Sequence, residues 1–281
     1  METSDRLQAA IARLTAAGVE TPRLEAQLLL AQALGTTRTA IVAGIYREPD
    51  ADQRAEFERL VQARELRTPL AYLRGTQEFF GLTFRVGPEV LIPRPETEML
   101  VEFALEKLGA AGTLADVGTG SGCILTAALA NAVRARGVGF DLSAAALALA
   151  QHNIRQNGAA ERARLAQGDL LTGAGAERFE VIVSNPPYIP SAEIAGLAPE
   201  VRDAEPRLAL DGGPDGLECY RRLAVQALKA LRPGGWLAVE VGRGQAPDVA
   251  TLWLAAGWQE VNARRDLAGI ERVVCGRKEV R

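Results

Sequence analysis

The strand candidate Thr113 to Val117 leads directly into Gly118-Thr119-Gly120-Ser121-Gly122, and a helix-forming stretch follows at once. A strand that must turn into a helix within five residues needs a bend free of Cβ atoms, and glycine at every second position supplies it. The helix start also offers N–H groups to a carboxylate or phosphate. A dinucleotide fingerprint would carry glycine at position 123, where this chain has Cys123. The competing reading of the loop is a tight strand-to-helix turn with no ligand.

The joint is one of several. Strands are expected at 113–117, 137–140, 163–166, 180–184, 236–241, 258–262 and 272–276, with helices such as 124–135 and 144–156 in the gaps. Alternation of this kind predicts an α/β doubly wound sheet whose ligand crevice lies at the carboxyl ends of the strands. Upstream the period changes. Residues 2–74 read as helical: Leu7, Ala10, Ile11 and Leu14 recur at helical spacing, Gly18 can stop that helix, and Thr21-Pro22 starts another carrying Leu24, Leu28 and Leu29. Phe80, Leu82, Phe84 and Val86, then Val90 to Ile92, alternate as a hairpin with Gly87-Pro88 as its turn. The expected division is a helical domain at 1–75, a β-hairpin linker at 76–94 and an α/β domain at 95–281.

Bulk properties narrow the function. Hydrophobic residues make up 48% of 281, enough for a substantial core. The net charge is −3, and residues 1–90 hold 11 arginines and no lysine against 12 acidic residues. A protein holding duplex nucleic acid through its phosphates would carry a basic excess. Cys123, Cys219 and Cys275 are far apart and His152 is the one histidine, so neither a disulfide framework nor a metal cluster can be read. The absence of a signal pattern or long apolar run leads to the expectation of a cytoplasmic chain without membrane contact.

Three further segments carry chemistry. Asp141 closes the second α/β strand, where a carboxylate can accept from both hydroxyls of a ribose; helix capping ahead of Ser143 is the alternative. Asp169 follows the third strand, placed to accept from an exocyclic adenine amine. Asn185-Pro186-Pro187-Tyr188 ends the apolar strand Val181-Ile182-Val183-Ser184. Two prolines cannot donate to a ladder, so the strand must stop there. The side-chain oxygen of Asn185 and the backbone carbonyl of Pro186 can grip two N–H groups of a planar nitrogen and stabilise charge that grows on it. Tyr188 offers a flat face to the same group. The 189–215 stretch, a long connection with little pattern, is expected to wall the substrate cleft.

Together, Asn-Pro-Pro-Tyr and the Asp-x-Gly-x-Gly-x-Gly loop resemble the amide and amino methyltransferases of the class I fold, a Rossmann-like seven-stranded sheet. Gly75-Thr76-Gln77-Glu78-Phe79-Phe80-Gly81, Leu91-Ile92-Pro93-Arg94-Pro95-Glu96-Thr97-Glu98, Glu205-Pro206-Arg207 and Leu210-Asp211-Gly212-Gly213 narrow the resemblance to the peptide chain release factor glutamine methyltransferases (the PrmC, or HemK, family). That resemblance implies methylation of the δ-amide nitrogen, N5, of the glutamine in the Gly-Gly-Gln loop of release factors. It implies S-adenosyl-L-methionine, left as S-adenosyl-L-homocysteine, held by Gly118, Thr119, Gly120, Ser121, Gly122, Asp141, Asp169, Leu170 and Asn185, with no metal. Asn185 and Pro186 would be catalytic, and Asn185, Pro186, Pro187 and Tyr188 would bind the substrate glutamine. The helical N-terminal domain would help recognise the partner, and the protein would be a monomer without direct nucleic-acid contact. Leu170 departs from the family, which often carries an aromatic residue there. Competing readings are an adenine-N6 methyltransferase acting on DNA or RNA, a glutamine methyltransferase acting on a ribosomal protein, and a non-catalytic module that kept the fold.

Overall fold

The structure, a computed structural model, describes residues 3–109, 111–176 and 178–280; the first residue of the expected helical stretch and the last of the expected α/β domain lie outside them. The chain divides into two compact units, Met1–Gly75 with Ala198–Ala204, and Thr76–Leu197 with Glu205–Arg281.

The first unit contains α1 (Thr3–Ala16), α2 (Pro22–Leu34), α3 (Arg38–Ala43), α4 (Ala51–Glu65) and α5 (Leu70–Arg74). The helix ends follow from local chemistry. Asp50 caps α4 in a reciprocal box with Gln53, and Gly35 closes α2 in the left-handed conformation at φ 63°. Leu14, Leu29, Leu30, Leu60 and Val61 form the core of the unit. On α2 the buried stripe is Ala26, Leu29 and Leu30, whereas Leu24, expected to share it, is exposed.

In the second unit, β1 (Thr76–Phe79) and β2 (Leu82–Arg85) pair antiparallel. Their turn is Phe80-Gly81, with φ of 50° and 73°, the positive pair that a two-residue hairpin needs. The expected turn at Gly87-Pro88 is corrected: Val90 N–H does donate to Gly87 O there at 3.1 Å, but 90–92 forms no strand. An aromatic residue in a left-handed position hid the true turn, and the Glu98 carboxylate helps to hold it by accepting from Phe80 N–H at 2.7 Å.

A 3-10 turn, Pro95–Thr97, leads into α6 (Glu98–Lys107), β3 (Thr113–Val117), α7 (Cys123–Asn131), β4 (Arg136–Asp141), α8 (Ala144–Gln156), β5 (Ala163–Gln167) and β6 (Phe179–Ser184). After α9 (Pro199–Arg202), which belongs to the first unit, come α10 (Glu218–Ala230), β7 (Leu231–Glu240), α11 (Ala246–Ala255), β8 (Gln259–Arg265) and β9 (Glu271–Arg277). Within the first unit, Glu200 of α9 pairs with Arg64 at 3.1 Å and Arg67 at 2.6 Å, while buried Arg64 also holds Glu25 at 2.5 Å.

The seven-stranded sheet runs β5-β4-β3-β6-β7-β9-β8, with β9 antiparallel to both of its neighbours. Both faces are covered. Leu114, Val181 and Val183 pack with α6 and α7, while Ala115 and Ile182 pack on the other side with Tyr220 and Trp253. Continuous burial of Val181, Ile182 and Val183 explains why β6 reads as an unbroken apolar run. The strand order reverses around β3, which places the crevice where β3, β4 and β6 end.

Asn153, fully buried on α8, fastens that crevice. Its Oδ1 accepts from Arg85 N–H at 2.8 Å, and its Nδ2 donates to Arg85 O at 3.0 Å and to Ser121 O at 2.8 Å. Asn153→Ala leaves buried backbone groups unpaired, and we expect a loss of about 2–4 kcal/mol in urea unfolding.

Candidate active site

The site is assembled from four strand ends. Beyond β3, Gly118, Gly120 and Gly122 take φ of 71°, 52° and 76°, values that a side chain would strain. Phe140 O accepts from the N–H groups of both Gly118 and Thr119, at 2.8 and 2.9 Å, which ties the loop to the end of β4. Asp116 lies beneath the loop, fully buried. Its Oδ2 accepts from Thr119 Oγ1 at 2.6 Å and from Leu125 N–H at 3.2 Å, while Oδ1 finds no partner among the described residues. Burial pushes this carboxyl up to about 6, with the Thr119 hydrogen bond opposing.

Asp141 ends β4 and accepts from Gly120 N–H at 2.8 Å and from Ser143 N–H at 2.9 Å. The cap of α8 is Ser143, whose side chain accepts from Ala146 N–H. The helix-cap alternative therefore belongs to Ser143. Asp141 steadies the glycine loop and still has lone pairs to offer. Asp169, beyond β5, is half-exposed and paired with Arg222 at 2.5 Å. Leu170 holds φ 53° without being glycine, a strain that tends to accumulate at functional sites.

Ser184 Oγ, at the end of β6, donates to Val117 O at 2.7 Å and draws the next residue against the glycine loop. That residue, Asn185, donates from Nδ2 to Thr97 Oγ1 at 3.2 Å, and Thr97 Oγ1 donates to Glu240 Oε2 at 2.6 Å. Burial pushes the Glu240 carboxyl up to about 7, against the Thr97 hydrogen bond.

These ends enclose a cavity of about 620 Å³ lined by Gly118 to Ser121, Asp141, Asp169, Leu170, Asn185 and Pro187, a size suited to a small organic ligand. Gly122, Pro186 and Tyr188 do not line it. Pro186 is buried, and Tyr188, partly buried, packs against the core cluster around Tyr220. The two prolines carry the chain onward, and Gln245 Nε2 donates to Tyr188 O at 2.9 Å. The loop after Tyr188 is closed at its neck. Ile189 pairs with Asp211, Gly212 N–H donates to Ile189 O at 2.9 Å, and Ser191 Oγ donates to Asp211 Oδ1 at 2.5 Å. Pro206, Leu208 and Asp211 supply part of the cavity wall.

The PrmC N-terminal domain family matches residues 5–75, and the methyltransferase small domain family matches residues 95–213. A release factor glutamine methyltransferase of Caulobacter vibrioides is 46% identical over 95% of this chain and 93% of its own length. The chain belongs to the release factor glutamine methyltransferases. A relative of the same name from Geobacter sulfurreducens is 46% identical over 92% of this chain and 91% of its own. A methyltransferase structure from Pyrococcus furiosus, 20% identical, superimposes with a TM-score of 0.56 over 78% of this chain and 98% of that one, which shows a shared fold.

Several cavity residues lay outside the expected site residues. Arg94 and Thr97 come from the Leu91 to Glu98 segment, whose diagnostic value was visible although its geometry was not. Arg94 donates to buried Glu205 at 2.5 Å. Glu240 had no local signal, because it meets Thr97 only through the fold.

A pH dependence follows. A raised carboxyl means that the folded chain holds a proton between about 4.5 and about 7, where the unfolded chain has lost it. Stability therefore falls as pH rises through that window, and Asp116 acts in the same direction. In urea titrations across the window, Glu240→Gln should flatten the decline.

Proposed function

We propose that this chain transfers the methyl group of S-adenosyl-L-methionine to the side-chain amide nitrogen of the glutamine in the Gly-Gly-Gln motif of peptide chain release factors, releasing S-adenosyl-L-homocysteine. The observation that carries the reading is the placement of Asn185 on the wall of the cavity formed by the glycine loop and Asp141. The residues fit the cofactor: glycine backbone for close approach, Asp141 for a ribose diol, and Leu142 and Leu170 as apolar cover for a purine. When bound, the cofactor supplies an electrophilic methyl group.

The chain supplies aim. A carboxamide nitrogen is a poor nucleophile because its lone pair is delocalised, so holding it in line with the donor is the main task. Asn185 Oδ1, opposite the end that donates to Thr97, can accept one N–H of the substrate amide, and the Pro186 carbonyl, at the bend between the cavity residues Asn185 and Pro187, is assigned to the other. Both stabilise the positive charge that grows on nitrogen during transfer. The product cation is acidic and loses its proton afterwards, so no strong base is needed. The helical N-terminal unit is assigned to recognition of the release factor, and the protein is assigned to the cytoplasm, where translation takes place.

Labelled cofactor incubated with a release factor should mark the single peptide that carries Gly-Gly-Gln; label on DNA or RNA alone would overturn the substrate assignment. Asn185→Ala should lose about 2–4 kcal/mol of transition-state stabilisation with cofactor affinity intact. Asp141→Ala should raise the cofactor dissociation constant about tenfold or more, the loss of a charge-assisted contact, as measured by calorimetry. Unchanged affinity would remove Asp141 from the binding site.

A further inference from the structure

The two ends of a carboxamide are nearly alike in shape and opposite in polarity, so neighbours decide which one Asn185 turns to the cavity. The neighbours here are Thr97 Oγ1, 3.2 Å from Nδ2, and behind it Glu240 Oε2, 2.6 Å from Thr97 Oγ1. A carboxylate only accepts, and a hydroxyl has one proton to give. Ionised Glu240 takes the Thr97 proton and leaves only lone pairs toward Asn185. Asn185 must then meet Thr97 with its N–H group, which aims Oδ1 at the cavity. Thr97 and Glu240 are 2% and 4% exposed, so the relay is shielded from bulk solvent.

We propose that Thr97 and Glu240 are positioning residues that set the rotational state of the Asn185 side chain, making the site an acceptor for substrate N–H groups. The inference rests on the amide-methylation reading above and deepens it.

The groups around Glu240 are mixed. Arg94 and Glu96 flank it from the segment before α6, Arg272 from β9, and Tyr188 and Tyr220 from beyond β6 and from α10. Tyr220 Oη donates to the Glu240 backbone carbonyl at 2.9 Å, not to the carboxylate. Protonated Glu240 can itself donate to Thr97, which frees the Thr97 proton for Asn185 and permits the inverted amide. With burial pushing the carboxyl up to about 7, that loss of preference falls near neutral pH.

The test compares Thr97→Ser, Thr97→Val and Glu240→Gln with wild type in release-factor methylation, alongside hydrogen exchange of the Asn185 side-chain N–H pair in 15N–1H spectra, assigned by its loss in Asn185→Ala. We expect Thr97→Ser to stay near wild type. Thr97→Val should lose about tenfold or more in kcat, with KM and cofactor binding unchanged, because one amide group is left unpaired. Glu240→Gln should fall between them and be flat from about pH 6 to 8, where the wild-type rate rises as Glu240 ionises. The Asn185 N–H pair should exchange slowly in wild type and Thr97→Ser, and fast in Thr97→Val. Thr97→Val within about twofold of wild type, Thr97→Ser as slow as Thr97→Val, or equal exchange in all variants would each overturn the proposal. Should Thr97→Val not fold, the Glu240→Gln pH profile decides: a surviving acidic limb overturns the proposal. If wild type leaves the release factor unmarked, the substrate reading fails separately, and the exchange rates alone decide the positioning claim.

Discussion

Val117 pairs with Phe140 on one side and with Ser184 on the other, and Asp141 pairs with Gln167. The four strands are parallel, so the residues just past these partners leave the sheet at nearly the same level. Asp141, the last paired residue of β4, and Gly118, Gly168 and Asn185, each just past its strand, are neighbours in space for that reason. A slip of one residue on β6 would exchange its two faces and carry Asn185 away from the glycine loop. Burial of Val181, Ile182 and Val183 on both sides resists that slip, and the Ser184 hydroxyl fastens the last rung. Register makes the site, and apolar packing maintains register.

Two of the carboxyls buried beside the cavity are each held by a threonine hydroxyl at 2.6 Å: Asp116 by Thr119 and Glu240 by Thr97. Keeping such groups out of water is costly. In both places the threonine belongs to a segment that must hold its shape, the glycine loop in one case and the turn ahead of α6 in the other. The acid acts as a post to which a bend is tied.

Much of the architecture was legible because the α/β pattern is a periodic signal. The strand expected at 113–117 is β3, and the one expected at 163–166 is β5 with one residue more. What escaped was non-periodic. Phe80 takes a turn conformation that its side chain does not advertise. β7 starts at Leu231, before Arg232-Pro233-Gly234-Gly235, which reads as a breaker; the irregular stretch between the Phe179–Leu231 and Val181–Trp236 pairs absorbs it. At the site, the glycine loop and Asn185 could be found from local residue types. Glu240 could not, since it reaches Thr97 across 143 positions. The packing of Tyr188 on the core also had no local signal, and its Gln245 partner lies 57 positions away.

The paired neck at Ile189 and Asp211 has a consequence for how this chain can change. A closed base separates the excursion between those residues from the rigid proline bend before it. Entropy penalises a longer excursion only logarithmically, and no extra residue inside it has to pull on Asn185. Length can change there between the tied residues, while Glu200, Glu205, Pro206 and Leu208 keep their contacts and the reacting geometry stays fixed. The excursion and the bend that serves the chemistry are consecutive in the chain, yet a paired neck lies between them.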